Sequence, residues 1–218
     1  MRIEPNFKAA RAATAAVDRV LSAFPNDATD HYVKGEILRG GGKDFEAAID
    51  EFKTAVSINP SLAPAYASLG NAEIRAGRAE EAFAPLQTAI RLSPRDPLLN
   101  IWYFNVCRAY THLARDAEAV EWCRKSVAII PFWIAYVDLA SAYAWLGRDA
   151  EARAAIGELL KLTPNYTVDR WEHAGFSNNP VFLAQYHRIV EGLRKAGLPE
   201  NSQPSWDQCE PTERWMLS

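Results

Sequence analysis

The chain has 218 residues, with 24 Lys plus Arg against 27 Asp plus Glu and a formal net charge of -3. That balance excludes the basic surplus with which nucleic-acid binders and polybasic membrane binders meet phosphates. Ala alone supplies 36 residues against 11 Gly and 13 Pro, which reads as helix throughout, and a hydrophobic share of 49% is ample for a core without metal or disulfide. No window approaches the roughly 18 uninterrupted apolar residues of a membrane span. The start, Met1-Arg2-Ile3-Glu4-Pro5, lacks the apolar run of a signal peptide. A cytoplasmic protein is expected, in a reducing cytosol; Cys107, Cys123 and Cys209 match no zinc or disulfide framework, and Cys107 and Cys123 are expected as small apolar filler.

In chain order, proline closes an apolar helix at Phe24-Pro25, Asn59-Pro60, Ser93-Pro94, Ile130-Pro131 and Thr163-Pro164. A period near 34 residues means stacked repeats and not a closed globule. Residues 6–25 place Ala13, Val17, Val20 and Pro25 as the second helix of a unit that lacks its first, an orphan helix. Four helix-turn-helix units follow at 28–60, 63–94, 98–131 and 133–164. The second shows the internal pattern, with Tyr66, Leu69, Gly70, Gly77, Ala82, Leu86, Ala89 and Pro94 at unit positions 4, 7, 8, 15, 20, 24, 27 and 32. Small residues at 8 and 20 let helices A and B approach closely, while larger ones at 4, 7, 11 and 24 fill the space around that contact. The first unit has one extra residue in its Gly40-Gly41-Gly42 turn, which leaves its helix-A register open by one. Residues 166–197 predict two capping helices, the second opened by Asn179-Pro180 and closed by Gly197 and Pro199. The array is thus expected over 1–199, with 200–218 a loose tail.

These positions are those of the tetratricopeptide repeat (TPR). Over roughly residues 5–200 the chain resembles the C-terminal TPR region of bacterial class III adenylate/guanylate cyclases. The likeness lies in Arg91-Leu92-Ser93-Pro94-Arg95-Asp96-Pro97-Leu98, in Val120-Glu121-Trp122-Cys123-Arg124-Lys125-Ser126-Val127, in Ser177-Asn178-Asn179-Pro180 and in the run from Gly192 to Pro199. An all-α, right-handed TPR solenoid of about four hairpins follows, with an N-terminal orphan helix and C-terminal capping helices. The resemblance implies a regulatory or interaction module of a bacterial signalling system, or alternatively a detached C-terminal fragment of such a cyclase or of a winged-helix regulator. The cyclase domain is missing from these residues, so none of its catalytic or metal-binding residues transfers.

No cofactor, metal or catalytic group is indicated. His31, His112, His173 and His187 have no metal-binding spacing, and Gly40-Gly41-Gly42-Lys43 follows a helix and lacks the phosphate-loop spacing. One constellation remains. Positions 2, 5, 9, 12 and 13 of each helix A line the inner face, and they hold Tyr32, Glu36 and Arg39, then Asn71 and Arg75, then Phe104, Arg108 and His112, then Val137, Ser141 and Trp145. This aromatic, net basic groove is expected to bind a protein or peptide that is acidic and partly apolar. The carboxylate clamp of chaperone-binding TPRs would need cations where Ala67, Ile134 and Asp138 stand; only Asn71 and Asn105 match it. The tail carries Glu200, Asp207, Glu210 and Glu213 with Trp206, Trp215, Met216 and Leu217, and is expected to compete for the groove of its own or a neighbouring chain.

Overall fold

The computed structural model describes residues 5–201 of the chain, and all regular structure among them is helical. Helix α1 spans Pro5–Ala23. Four hairpins follow, α2 (Ala28–Ile37) with α3 (Phe45–Ile58), α4 (Ala63–Arg75) with α5 (Phe83–Leu92), α6 (Leu99–His112) with α7 (Asp116–Ile129), and α8 (Trp133–Trp145) with α9 (Asp149–Leu162). Short α10 (Val168–Glu172) and long α11 (Pro180–Ala196) end the described chain. Helices α2, α3 and α11 start where side-chain acceptors meet orphan amides. Asp27 accepts from the amides of Thr29 and Asp30, Asp44 from that of Ala47, and Asn179 from those of Val181 and Phe182 just ahead of Pro180.

Each hairpin closes on the small residue at position 8. A Cβ on Gly70 would lie 2.5 Å from Leu86 Cγ, and one on Gly35 would lie 2.5 Å from the Phe52 ring. The Gly35 contact fixes the register of the first unit: the extra residue is absorbed by a π-helical turn over Leu38–Gly42. At position 15 each hairpin turns through the left-handed region, at Lys43 (φ 51°), Gly77 (φ 79°), Ala114 (φ 58°) and Gly147 (φ 69°). Only glycine adopts that conformation without Cβ strain.

In the third hairpin the structure corrects the expectation of free cysteines. Cys107 and Cys123, at positions 8 and 24, form a disulfide with their Cα atoms 5.1 Å apart. The close A–B approach that suits two small side chains is also disulfide distance. Cys209 and nearly all of the tail lie outside the described residues.

Helix α11 packs chiefly on α8, with further contact to α6 and little to α9. It therefore lies across the A helices as well as ending the stack. Gly192 makes this possible, because a Cβ there would fall 2.0 Å from Ser141 Oγ.

The turn and the hairpin contact give opposite outcomes in thermal or denaturant unfolding. Ala114→Gly should stabilise the chain by about 1 kcal/mol by removing left-handed strain, whereas Gly70→Leu should cost about 1–3 kcal/mol by overpacking Leu86. Reducing the disulfide, which spans 16 residues, should cost about 3 kcal/mol on the loop-entropy scale. An unfolding midpoint insensitive to reductant would show that the bond is not formed in solution.

Candidate functional site

The eleven residues placed on the inner face by their repeat positions divide into an open half and a covered half. Tyr32, Arg39 and Asn71 line a cavity of about 180 Å³ between α2, α4 and α6, together with Glu36, Trp102 and Asn105. Arg39 Nη2 donates to Glu36 Oε2 at 2.6 Å and Nη1 to Asn71 Oδ1 at 3.1 Å. Asn71 Oδ1 also accepts from Arg75 Nε at 3.2 Å, and Asn71 Nδ2 donates to Asn105 Oδ1 at 3.0 Å. Two groups in this network, Arg39 Nε and Glu36 Oε1, are buried without a hydrogen-bond partner. Such atoms mark a place where a ligand or water can bond.

The other half is occupied by the chain itself. The linker between α10 and α11 runs along the groove with its carbonyls held by cations: Lys43 Nζ donates to Gly175 O at 2.8 Å and Arg75 Nη1 to Phe176 O at 2.9 Å. Ser177 Oγ returns a bond to Arg75 O at 2.7 Å. Phe104 is closed off by Phe132, edge-on at 5.3 Å, and by the Arg108 guanidinium, 4.6 Å from its ring. Arg108 is buried and bound through Nε and Nη2 to both oxygens of the fully buried Asp138. Burial pushes the Asp138 carboxyl up, and the guanidinium opposes that shift. Ser141 is sealed by Gly192 of α11. Trp145 donates to Arg188 O at 3.0 Å and is flanked by Arg188 and by Lys195. The His112 ring packs against that of Phe182 in a tilted arrangement, and its Nδ1 lies 3.1 Å from Gln185 Oε1.

The electrostatics follow from this division. Arg108 is neutralised by Asp138, a partner missed from sequence because position 9 of one unit meets position 6 of the next. Arg75 has no carboxylate partner among the described residues, and burial with Arg108 and Arg39 nearby pushes its guanidinium down to about 9. Trp102, Ile101 and Leu98 also line the open cavity without having been singled out, although Ile101 occupies inner position 2. Among the described residues no group of three or more His, Cys, Asp or Glu side chains is placed to hold a metal ion.

Burial and the nearby Arg108 and Arg75 hold the His112 imidazole down to about 3, so it is neutral in the folded chain. The unfolded state protonates at about 6.5. Stability is therefore complete above pH 6.5 and falls as pH drops toward 3, because only the unfolded chain takes up the proton. Between pH 7.5 and 5 the parent should lose about 2 kcal/mol relative to His112→Asn, read from denaturant unfolding at both values. A constant difference between the two chains would place His112 in contact with solvent.

Comparison with known proteins agrees with this architecture. A family model described as tetratricopeptide repeat matches residues 8–63 and 44–97, and a second of the same description matches residues 134–166. The Hsp70-Hsp90 organizing protein of Triticum aestivum is 36% identical over 97 residues, 44% of this chain and 16% of that protein. Tetratricopeptide repeat protein 33 of Xenopus laevis is 28% identical over 112 residues, 51% of this chain and 43% of that one. The chain thus spans less than half the length of these curated relatives. Among solved structures, MamA superposes with a TM-score of 0.62 at 25% identity, covering 74% of this chain and 95% of that chain. PilW, a type IV pilus biogenesis factor, shares the fold with a TM-score of 0.67 at 22% identity, covering 85% and 89%. With matches over more than half its length that fall on the hairpins just described, the chain belongs to the tetratricopeptide-repeat family.

Proposed function

We propose that the chain is a non-enzymatic protein-interaction scaffold whose peptide site is the open half of the inner face, around Tyr32, Arg39, Asn71 and Asn105. The carrying observation is the incomplete polar network in the cavity, where Asn71 is shared by two guanidiniums and Arg39 Nε is left over. A cavity of about 180 Å³ is smaller than the roughly 300–1,000 Å³ of a cofactor or drug-sized site. It fits one or two side chains of a peptide. An acidic residue there adds a second carboxylate beside Arg39, whose Nη2 is already held by Glu36, and offsets the uncompensated Arg75, while the half-exposed Leu98 and Ile101 favour an apolar neighbour.

The covered half is assigned a structural role. Trp171, Phe182, Tyr186, Ile189, Val190 and Leu193 are all buried, and at about 1.5–3 kcal/mol each their exposure costs on the order of 10 kcal/mol. A micromolar peptide supplies only about 8 kcal/mol. Phe104, Arg108, His112, Ser141 and Trp145 therefore support the groove without touching a partner, and Arg75 reaches it only through Asn71. Capture of a chaperone terminus is not proposed despite the wheat relative's name, since Asp138 occupies a clamp-cation position and is committed to Arg108.

A regulatory place beside a nucleotide cyclase or a winged-helix regulator rests on the sequence resemblance alone, and self-association through the tail rests on the acidic and aromatic composition of residues 200–218. No described helix is long and apolar enough to cross a membrane. Cytoplasmic residence, if adopted, has a consequence: the Cys107–Cys123 bond persists there only through burial of both sulfurs, since cytosolic reductants keep accessible thiols reduced.

The test is a peptide array of acidic and neutral sequences, each with one aromatic residue. Acidic members should bind, and Arg39→Glu should weaken the best of them at least tenfold, with a salt dependence that the variant loses. Arg108→Ala should instead cost about 3–5 kcal/mol of stability by stranding Asp138. Acidic peptides that bind Arg39→Glu as well as the parent would move the site off this face. Turnover of ATP or GTP with magnesium or manganese that follows the protein through purification would overturn the non-enzymatic reading.

A further inference from the structure

The described residues end at the rim of a cavity. A hollow of about 420 Å³ lies between the end of α9, the link to α10 and the segment that leaves α11, with Leu160, Pro164 and Tyr166 as its walls and Pro199 and Asn201 at its edge. That segment is held by backbone bonds: the amide of Val168 donates to Pro199 O at 2.9 Å and the amide of Asp169 to Glu200 O at 3.0 Å. Arg194 Nε also donates to Glu200 Oε1 at 2.9 Å. Asn201 is therefore delivered to the mouth of the cavity, and residues 202–218 continue from there.

The sequence that follows matches this cavity. Ser202-Gln203-Pro204-Ser205 is a short polar link, and Trp206-Asp207 comes next. Five residues at ~3.3 Å each reach about 16 Å, enough to turn back over the mouth, and closing so short a loop loses little entropy. An indole is flat and apolar, with a single N–H donor. The walls supply aromatic and aliphatic surface, and the exposed Asn165 in the lining supplies a carbonyl acceptor. Beside the Tyr166 wall stands the exposed guanidinium of Arg170, 5.2 Å from that ring. Its neighbouring acids are engaged elsewhere, Asp169 facing His173 at 3.2 Å and Glu172 bound to Arg194 at 2.9 Å. The cavity around Asn71 is less than half as large and already holds the Glu36 carboxylate.

We propose that Trp206 of the chain's own tail seats in this cavity with Asp207 paired to Arg170, latching the tail to the C-terminal end of the array. Tethering raises the local concentration of the ring at its seat. The ring covers apolar surface at the end of α9, where no further hairpin follows among the described residues to cover it. The tail's other tryptophan is a poorer match: Trp215 needs a longer loop and stands between the base Arg214 and the apolar Met216. The latch engages α9 and the link to α10, whereas the peptide cavity lies between α2, α4 and α6, so the two sites stand or fall separately.

The test labels every tryptophan of the full chain with fluorine and reads the fluorine resonance of Trp206, assigned by its loss in Trp206→Phe. That resonance should lie away from the position of the free fluorinated amino acid and shift little between light and heavy water, both marks of a ring removed from solvent. Leu160→Lys should return it to the free position. Arg170→Glu, at an exposed position that leaves the helices intact by circular dichroism, should move it part of the way, and Arg39→Glu should leave it in place. A Trp206 resonance at the free position in the parent would overturn the proposal, as would one left in place by either Leu160→Lys or Arg170→Glu. Release of the ring by Arg39→Glu would seat it in the groove instead, and a position that changes with protein concentration would seat it on a second copy; either result overturns the stated site.

Discussion

The contact between position 8 of helix A and position 24 of helix B is the constraint on which the molecule rests. Where it is a glycine against a large side chain, as Gly70 against Leu86, the two backbones approach as far as the larger residue allows. Where both residues are small, the remaining gap is closed by a covalent bond, Cys107 to Cys123. Fixing that distance fixes the rotation of each A helix, because its other apolar residues must surround the same point. The residues left over on each A helix then face inward together, and stacking turns them into one continuous surface.

That surface is too apolar and too charged to stand open along its full length. Toward the C-terminus it is filled by α10, the linker and α11, and the fit depends on another absent side chain: Gly192 brings α11 onto Ser141 as Gly70 brings α4 onto Leu86. The third hairpin carries much of this load. Its Arg108 guanidinium lies 5.3 Å from the Trp171 ring and its His112 ring 4.8 Å from that of Phe182, and the disulfide secures the helix that presents both. A covalent brace at this hairpin is consistent with its role, since movement of α6 would disturb the buried Arg108–Asp138 pair and the seat of α11 together.

Much of this was legible in the sequence, and the division between what was and was not is physical. Phased prolines and small residues at 8 and 20 are local signals repeated four times, so the hairpins and the inward-facing set followed from them. The π turn over Leu38–Gly42 was visible only as an extra residue, because a backbone can absorb an insertion in several ways. The path of residues 174–179 was not visible. An amphipathic helix records that it has an apolar face without recording which surface covers it, and Gly192 was indistinguishable from an unremarked glycine in mid-helix. Positions 8 and 24 set Cys107 and Cys123 opposite one another, yet whether two facing thiols bond depends on an approach of tenths of an ångström. Asp138 was noted as a clamp mismatch and not as the partner of Arg108, since that contact joins residues 30 apart across two units.

The contacts between position 9 of one unit and position 6 of the next change character along the array, and the proposed peptide site rests on that change. Between the third and fourth units the contact is Arg108 with Asp138, a buried pair whose charges and hydrogen bonds satisfy each other. Between the second and third it is Asn71 with Asn105, a neutral contact that two arginines lean on from one side. A buried charge is tolerated when it is paired, and an unpaired one lowers its cost by staying near solvent or by accepting a ligand. The compensated contact lies under α10 and the linker, whereas the uncompensated one borders the cavity that remains open. The same internal segment that closes half of the groove therefore leaves accessible the part whose electrostatics are unfinished, which is the support for placing the proposed acidic partner residue there.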